Sequence, residues 1–210
     1  MFDPIHNGHI NCAEQAFSHF DLDKVFFIPS AIPPHKSGTT VSGEERFKMA
    51  EIAVADNPAF EVSRAELDRD AGMSFTIDTV LEFQERHGND IYFIIGTDAF
   101  SEISSWRSPE KILNNCNFAV IGRPGWDAET TIEKIEKGLS KGESSPSFKV
   151  LEEGVAYSFI GSPYRIVFYS DKELDISSSL VRDRIMKEKP VADILPEGVA
   201  KYIKKKGLYV

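Results

Sequence analysis

Apolar positions along the chain fall into two rhythms. Helical spacing links Ile10, Ala13, Ala16, Phe17 and Phe20, an apolar stripe on a helix that begins near Gly8. Mostly apolar runs of strand length cover Lys24 to Pro29, Phe60 to Ser63, Ile91 to Ile95, Phe118 to Gly122 and Arg165 to Tyr169. Helices are predicted between and after them. One starts at a Ser42/Glu45 capping box and carries Phe47, Ala50, Ile52 and Val54. Another is capped by Ser74 or Thr76 and buries Ile77, Val80, Leu81 and Phe83. Others follow Asp98, Ser108-Pro109 and the serines at 177–179, and the last runs from Pro196 through Tyr202 and Ile203 to Gly207. Strands alternating with helices predict an α/β fold with an open, mostly parallel sheet and helices on both faces.

The length of 210 residues suits a single domain, 1–210, with a full hydrophobic core. From Asp127 to about Ser147 the chain turns polar around a helical stretch at Ile132 and Ile135. Residues 127–165 are therefore expected to form an insertion or elaborated loop of little chemical consequence, and 170–210 a helical C-terminal part. With 41% apolar and 27% charged residues the composition is that of a soluble globular protein. No run has the length of a membrane span and the N-terminus lacks a signal-peptide pattern, so a cytoplasmic protein with no membrane partner is expected. Cys12 and Cys116 have no metal-type spacing and read as reduced core thiols. The net charge of −9 argues against a nucleic-acid partner. An anionic ligand would have to be held by a few local cations or a divalent metal.

Candidate chemistry sits at the ends of these elements. His6-Asn7-Gly8-His9 lies at the mouth of the first helix, where backbone N–H groups, a close-approach glycine and two imidazoles suit a phosphate; the same residues also suit a helix cap with two surface histidines. Pro33-Pro34-His35-Lys36 is a stiff loop after a strand, the usual place for a ligand in an open α/β sheet. Gly96-Thr97-Asp98 ends a strand, where it would hold a ribose or a metal-bound phosphate unless Asp98 only caps the next helix. At 175–182 three serines open a helix and Arg182 follows one turn later on the same face, a cluster that suits a triphosphate or simply caps the helix.

In order, Phe2-Asp3-Pro4 with His6-Asn7-Gly8-His9, and Ile176-Ser177-Ser178-Ser179-Leu180-Val181-Arg182, resemble the two signature motifs of the nucleotidyltransferase superfamily. Pro33 to Lys36, Ser74 to Thr79, Ile95 to Asp98 with Trp106, and Leu195-Pro196 through Gly207-Leu208-Tyr209 resemble the bacterial nicotinate-nucleotide adenylyltransferases. The resemblance spans nearly the whole chain. It implies a Rossmann-like fold of nucleotidyltransferase type and a reaction of ATP with nicotinate mononucleotide that gives nicotinate adenine dinucleotide and pyrophosphate in NAD biosynthesis.

By that resemblance His6, His9 and Arg182 are catalytic, and Gly8, Gly96, Asp98, Ser178 and Ser179 bind ATP together with Mg²⁺, for which no protein-only site is expected. Lys36, Thr76, Trp106 and Arg123 contact the second substrate, Trp106 either as a platform for the pyridine ring or as an ordinary packed tryptophan, and Arg123 either near a phosphate or as a loop cation. Nicotinamide mononucleotide or pantetheine phosphate remain alternative acceptors, and a homo-oligomer is compatible with the sequence. One departure stands out: family members usually begin with an apolar strand and a Gly-Gly turn before the Phe-Asp-Pro, and this chain has neither. The expectation is that about ten added upstream residues of strand-like sequence raise stability and turnover. A nucleotide-binding protein with impaired turnover is the corresponding rival reading.

Overall fold

A computed structural model describes residues 1–31, 41–69, 74–122, 127–140, 147–169 and 174–210. Lys36 and Arg123, with the loop from Pro33 to Lys36, lie outside the described residues. The chain divides into two compact units, Met1–Ser74 with Glu173–Val210, and Phe75–Lys172.

The first unit holds α1 (Asn7–His19), β1 (Val25–Phe27), α2 (Gly43–Val54) and β2 (Phe60–Val62). β1 and β2 pair in parallel with Val25 opposite Phe60 and Phe27 opposite Val62. Ala13 and Ala16 of the predicted stripe are buried, and Phe17 meets the Phe60 ring edge-on at 6.1 Å. Small residues on the buried face let α1 sit close to its neighbours, so its aromatic contact comes from one flank. Ser42 caps α2 by accepting from the Glu45 N–H at 3.2 Å, as its sequence predicts.

The second unit begins with α3 (Thr76–His87), β3 (Tyr92–Gly96), α4 (Thr97–Phe100), a 3₁₀ turn at Ile103–Ser105 and α5 (Pro109–Leu113). It continues through β4 (Asn117–Ile121), α6 (Ala128–Leu139), β5 (Phe148–Glu152), β6 (Ala156–Phe159) and β7 (Ile166–Tyr169). These five strands form one sheet in the order β3-β4-β7-β6-β5, with β3, β4 and β7 parallel and β6 and β5 antiparallel. Every residue of β4 is buried, which explains its unbroken apolar reading. Phe118 packs against Phe100 at 5.1 Å and Phe93 at 5.9 Å, at the middle of a core that also takes Ile132 and Ile135 of α6. The expected α/β Rossmann-like fold, with alternating helices and a largely parallel core sheet, is present.

One local expectation is corrected, and one segment is filled in. Residues 127–165, expected as an insertion or elaborated loop with a helical stretch at Ile132 and Ile135, contain α6, whose buried face is Ala128, Thr131, Ile132, Ile135 and Leu139, and the strands β5 and β6. β5 is an edge strand with four of five residues exposed, so its sequence shows no apolar run. α3 is capped by neither Ser74 nor Thr76: its N-cap is Phe75, because Thr76 is already helical and the Ser74 hydroxyl accepts instead from the Ala31 N–H at 2.9 Å. Of the two cysteines expected in the core, Cys116 is buried and Cys12 half-buried.

The chain then returns to the first unit with α7 (Ser178–Met186) and α8 (Glu197–Lys206). No described helix is long and apolar enough to cross a membrane.

Candidate active site

Within the first unit, the start of α1 is built around its histidines. His6 is the N-cap and only 4% exposed. Its backbone N–H donates to His9 Nδ1 at 3.2 Å, and its carbonyl accepts from the His9 N–H at 2.9 Å. The two imidazoles stack with centroids 3.6 Å apart. Burial, and after it the charge of neighbouring His6, hold the His9 pKa well below 6.5. Because Nδ1 accepts a hydrogen bond, the proton of neutral His9 resides on Nε2, which leaves that nitrogen a donor. Gly8 makes the stack possible: a Cβ there would lie 3.0 Å from His6 Nδ1 and 3.5 Å from Ile176 Cβ.

The start of α7 lies against the same loop. Ser177 caps the helix by accepting from the Leu180 N–H at 3.1 Å. The Ser178 hydroxyl donates to the Pro4 carbonyl at 3.0 Å. Arg182 Nη1 donates to the Asp3 carbonyl at 2.6 Å, and Nη2 to the Ser179 hydroxyl at 3.3 Å. Ser179 itself is exposed. Asn7 ties the loop to a third place, its N–H donating to the Ile194 carbonyl at 3.0 Å. The structure thus brings His6, Gly8, His9, Ser178, Ser179 and Arg182 together, with two positive helix ends side by side. The three serines have distinct tasks: one caps, one joins the two motifs, and one faces solvent beside the arginine.

In the second unit, β3 runs directly into α4. Gly96 is the N-cap, and Asp98 is exposed on the first turn. A Cβ at Gly96 would stand 2.7 Å from Asp98 Oδ1, so the glycine gives the carboxylate its place beside the backbone. Thr76 opens α3 and is half-buried. Trp106, also half-buried, meets Phe93 edge-on at 6.2 Å and lines a cavity of about 600 Å³ with Ser104, Ser108, Glu110 and Lys111. Next to it, the Arg107 guanidinium lies 4.4 Å from the Phe75 ring centroid. Among the described residues no group of three or more His, Cys, Asp or Glu side chains could hold a metal.

Three further residues pack around the first loop, none of them assigned a site role from the sequence: Asp3, Arg46 and Tyr209. Asp3 is buried, and its Oδ1 accepts from the Tyr209 hydroxyl at 2.8 Å. Arg46 is fully buried and donates to the carbonyls of Met1 and Ala31 at 3.0 and 3.1 Å. Burial lowers its pKa, while the charge of Asp3 acts in the opposite direction. The Asp3–Tyr209 contact joins residues 206 positions apart, a pairing that no local pattern in the sequence reveals.

Comparison with known proteins matches this arrangement to a family. The sequence pattern of the cytidylyltransferase-like family matches residues 1–184. A probable nicotinate-nucleotide adenylyltransferase of Moorella thermoacetica is 41% identical over 99% of this chain and 88% of its own length. That of Thermoanaerobacter sp. is 38% identical over 99% and 90%. Two solved structures of nicotinic acid mononucleotide adenylyltransferase from Plasmodium falciparum, complexed with NaAD and with APC, have TM-scores of 0.71 and 0.69 at 21% identity. They cover 99% of this chain and 93% and 92% of their own, and they share its fold. The chain belongs to the bacterial-type nicotinate-nucleotide adenylyltransferases of the cytidylyltransferase-like nucleotidyltransferase superfamily.

Proposed function

We propose that the paired starts of α1 and α7 cradle the phosphates of MgATP during adenylyl transfer to nicotinate mononucleotide, which yields nicotinate adenine dinucleotide and pyrophosphate. The observation that carries this reading is the junction of the two motifs, Pro4 with Ser178 and Asp3 with Arg182, which sets neutral donors and one guanidinium around a single spot. Mg²⁺ enters as part of the nucleotide substrate and neutralises charge on the pyrophosphate.

The chain has no need of a side-chain nucleophile. The attacking oxygen is the phosphate of the mononucleotide, largely ionised at neutral pH because its second pKa is about 6. That oxygen forms a bond to the α-phosphorus of ATP as the bond to the bridging oxygen of pyrophosphate breaks, so catalysis reduces to alignment and charge stabilisation. His9 donates from Nε2 to a phosphate oxygen, and His6, stacked on it, fixes the ring. Arg182 and Ser179 bind the departing pyrophosphate, with the N–H groups of the two helix starts. Ser178 and Gly8 hold the cradle in shape. The family resemblance assigns the adenosine to Gly96 and Asp98, the acceptor phosphate to Lys36 and Arg123, and the nicotinate ring to Thr76 and Trp106. Trp106 already has one edge packed on Phe93, which supports a fixed ring on which a flat ligand stacks.

The test is a steady-state assay of pyrophosphate release with MgATP and nicotinate mononucleotide, alongside nicotinamide mononucleotide and pantetheine phosphate. His9→Ala is expected to lower kcat by about a hundredfold, the usual cost of one donor to developing charge. An unchanged rate removes His9 from the chemistry, and preference for another acceptor overturns the substrate assignment.

A further inference from the structure

The Phe2–His9 loop is held by more than the residues assigned to the phosphates. Phe2 has φ +50°, an uncommon conformation for a residue with a side chain. Its ring meets His9 edge-on at 4.9 Å, so the position of His9 follows that of Phe2. The next residue, Asp3, is 2% exposed and held on two sides: Arg182 takes its carbonyl, and Tyr209 its carboxylate.

Tyr209 is the unexpected partner. It lies one position from the last residue and has φ +64°, just after Gly207, which ends α8 at φ +62°. A tyrosine held in the left-handed region beside a chain end needs a compensating contact. The contact is buried, since Tyr209 is 6% exposed, and its hydroxyl has a carboxylate to donate to. Burial, and then the hydrogen bond to Asp3, raise the phenol pKa far above its ordinary value, so the hydroxyl stays a donor at any working pH. The Leu208 N–H donates to the Ile203 carbonyl at 3.1 Å and fixes the turn from the other end. Charge-assisted hydrogen bonds of this kind are among the stronger ones, and removing the donor takes one such bond from a buried carboxylate.

We propose that Tyr209 is a positioning residue for adenylyl transfer: by holding the Asp3 carboxylate it sets Phe2, and through Phe2 and Arg182 it fixes the spacing between His9 and Arg182. The proposal rests on the phosphate-cradle reading. A contact of this kind gives the transition state its geometry and leaves ground-state affinity nearly untouched. Tyr209→Phe removes one hydroxyl and keeps the ring. Its kcat per folded molecule is expected to fall about tenfold, the rate equivalent of one charge-assisted hydrogen bond. KM for MgATP should change less than about threefold, since uniform binding is not what is lost. Asp3→Asn keeps an acceptor for the tyrosine and should retain most of the wild-type kcat, whereas Asp3→Ala should match Tyr209→Phe. The double variant Asp3→Ala/Tyr209→Phe should be no worse than either alone, because both cut one link.

A second readout does not depend on turnover. In histidine NMR spectra the His9 ring signals, assigned by their loss in His9→Ala, should move in Tyr209→Phe, since the Phe2 ring edge against them shifts. Thermal denaturation supplies the folded fraction used to normalise kcat. Wild-type kcat per folded molecule with unmoved His9 signals overturns the proposal, as does a fully additive double variant. If the wild type releases no pyrophosphate from MgATP and nicotinate mononucleotide, or His9→Ala is fully active, the cradle reading fails instead.

Discussion

His9 carries the clearest single-residue consequence of the fold. Its ring stacks on His6 and accepts the His6 N–H, an arrangement that a neutral imidazole tolerates and an imidazolium does not. The folded pKa lies well below 6.5, chiefly through burial and then through His6. The sign follows from proton linkage. Below pH 6.5 the unfolded chain takes up a proton at this position that the folded chain refuses, so the contribution of neutral His9 is complete above pH 6.5 and is lost as pH falls toward the folded pKa. Its limiting slope is about 1.4 kcal/mol per pH unit. A loss of about 1 kcal/mol lowers Tm by roughly 2–4 °C in a chain of this size. The melting temperature of the wild type should therefore fall more steeply between pH 7 and pH 5 than that of His9→Gln. Parallel curves would mean that His9 ionises as readily folded as unfolded.

Among the helices, α7 does more than its length suggests. Its first turn distributes three serines over a cap, a joint and a solvent-facing position beside Arg182, so substitutions one residue apart should have different effects. Ser178→Ala removes the donor to the Pro4 carbonyl and should cost about 1 kcal/mol of stability, seen as a lower denaturant midpoint. Ser179→Ala leaves that joint intact and should raise KM for MgATP with little change in midpoint. The reverse pattern would mean that Ser178 faces the ligand and Ser179 holds the fold. The serine run itself was legible, because hydroxyls at a helix start have few other uses; which serine does what was not, since the distinction depends on a carbonyl 174 positions away. The same limit explains the other differences. β4 shows an unbroken apolar run because it is buried throughout, and α1 shows a stripe because one face is buried and the other is not. β5 has a single paired edge and an exposed face, and its Lys and Glu reflect solvent rather than strand geometry. Ser74 looked like a cap because nothing local revealed that Ala31 would claim its hydroxyl.

On the scale of the whole chain, the proposed phosphate cradle draws on residues from both ends of the sequence. The first unit takes residues from Met1–Ser74 and from Glu173–Val210, while the apolar cluster around Phe118 belongs to the intervening second unit. Long closures of this kind are not prohibitive, because each doubling of a loop adds only about 0.6 kcal/mol. They do make the first unit depend on contacts that join the ends, among them Asp3 with Tyr209 and Arg182, Pro4 with Ser178, Asn7 with Ile194, and the Tyr202 hydroxyl on Glu45 at 2.7 Å. The net charge of −9 gives a polyanion no long-range attraction, and beyond about 8 Å it is screened at physiological ionic strength, so binding energy must arise at the cradle itself. MgATP should therefore stabilise the two chain ends together. At a hundred times its Kd the nucleotide adds about 2.7 kcal/mol to the state that binds it, equivalent to roughly hundredfold slower opening exchange. Hydrogen exchange with and without MgATP should show this slowing in both α1 and α7, at opposite ends of the sequence. Protection of α1 with none in α7 would mean that the Ser177–Arg182 turn does not meet the nucleotide and that its contacts with Asp3 and Pro4 serve the fold alone.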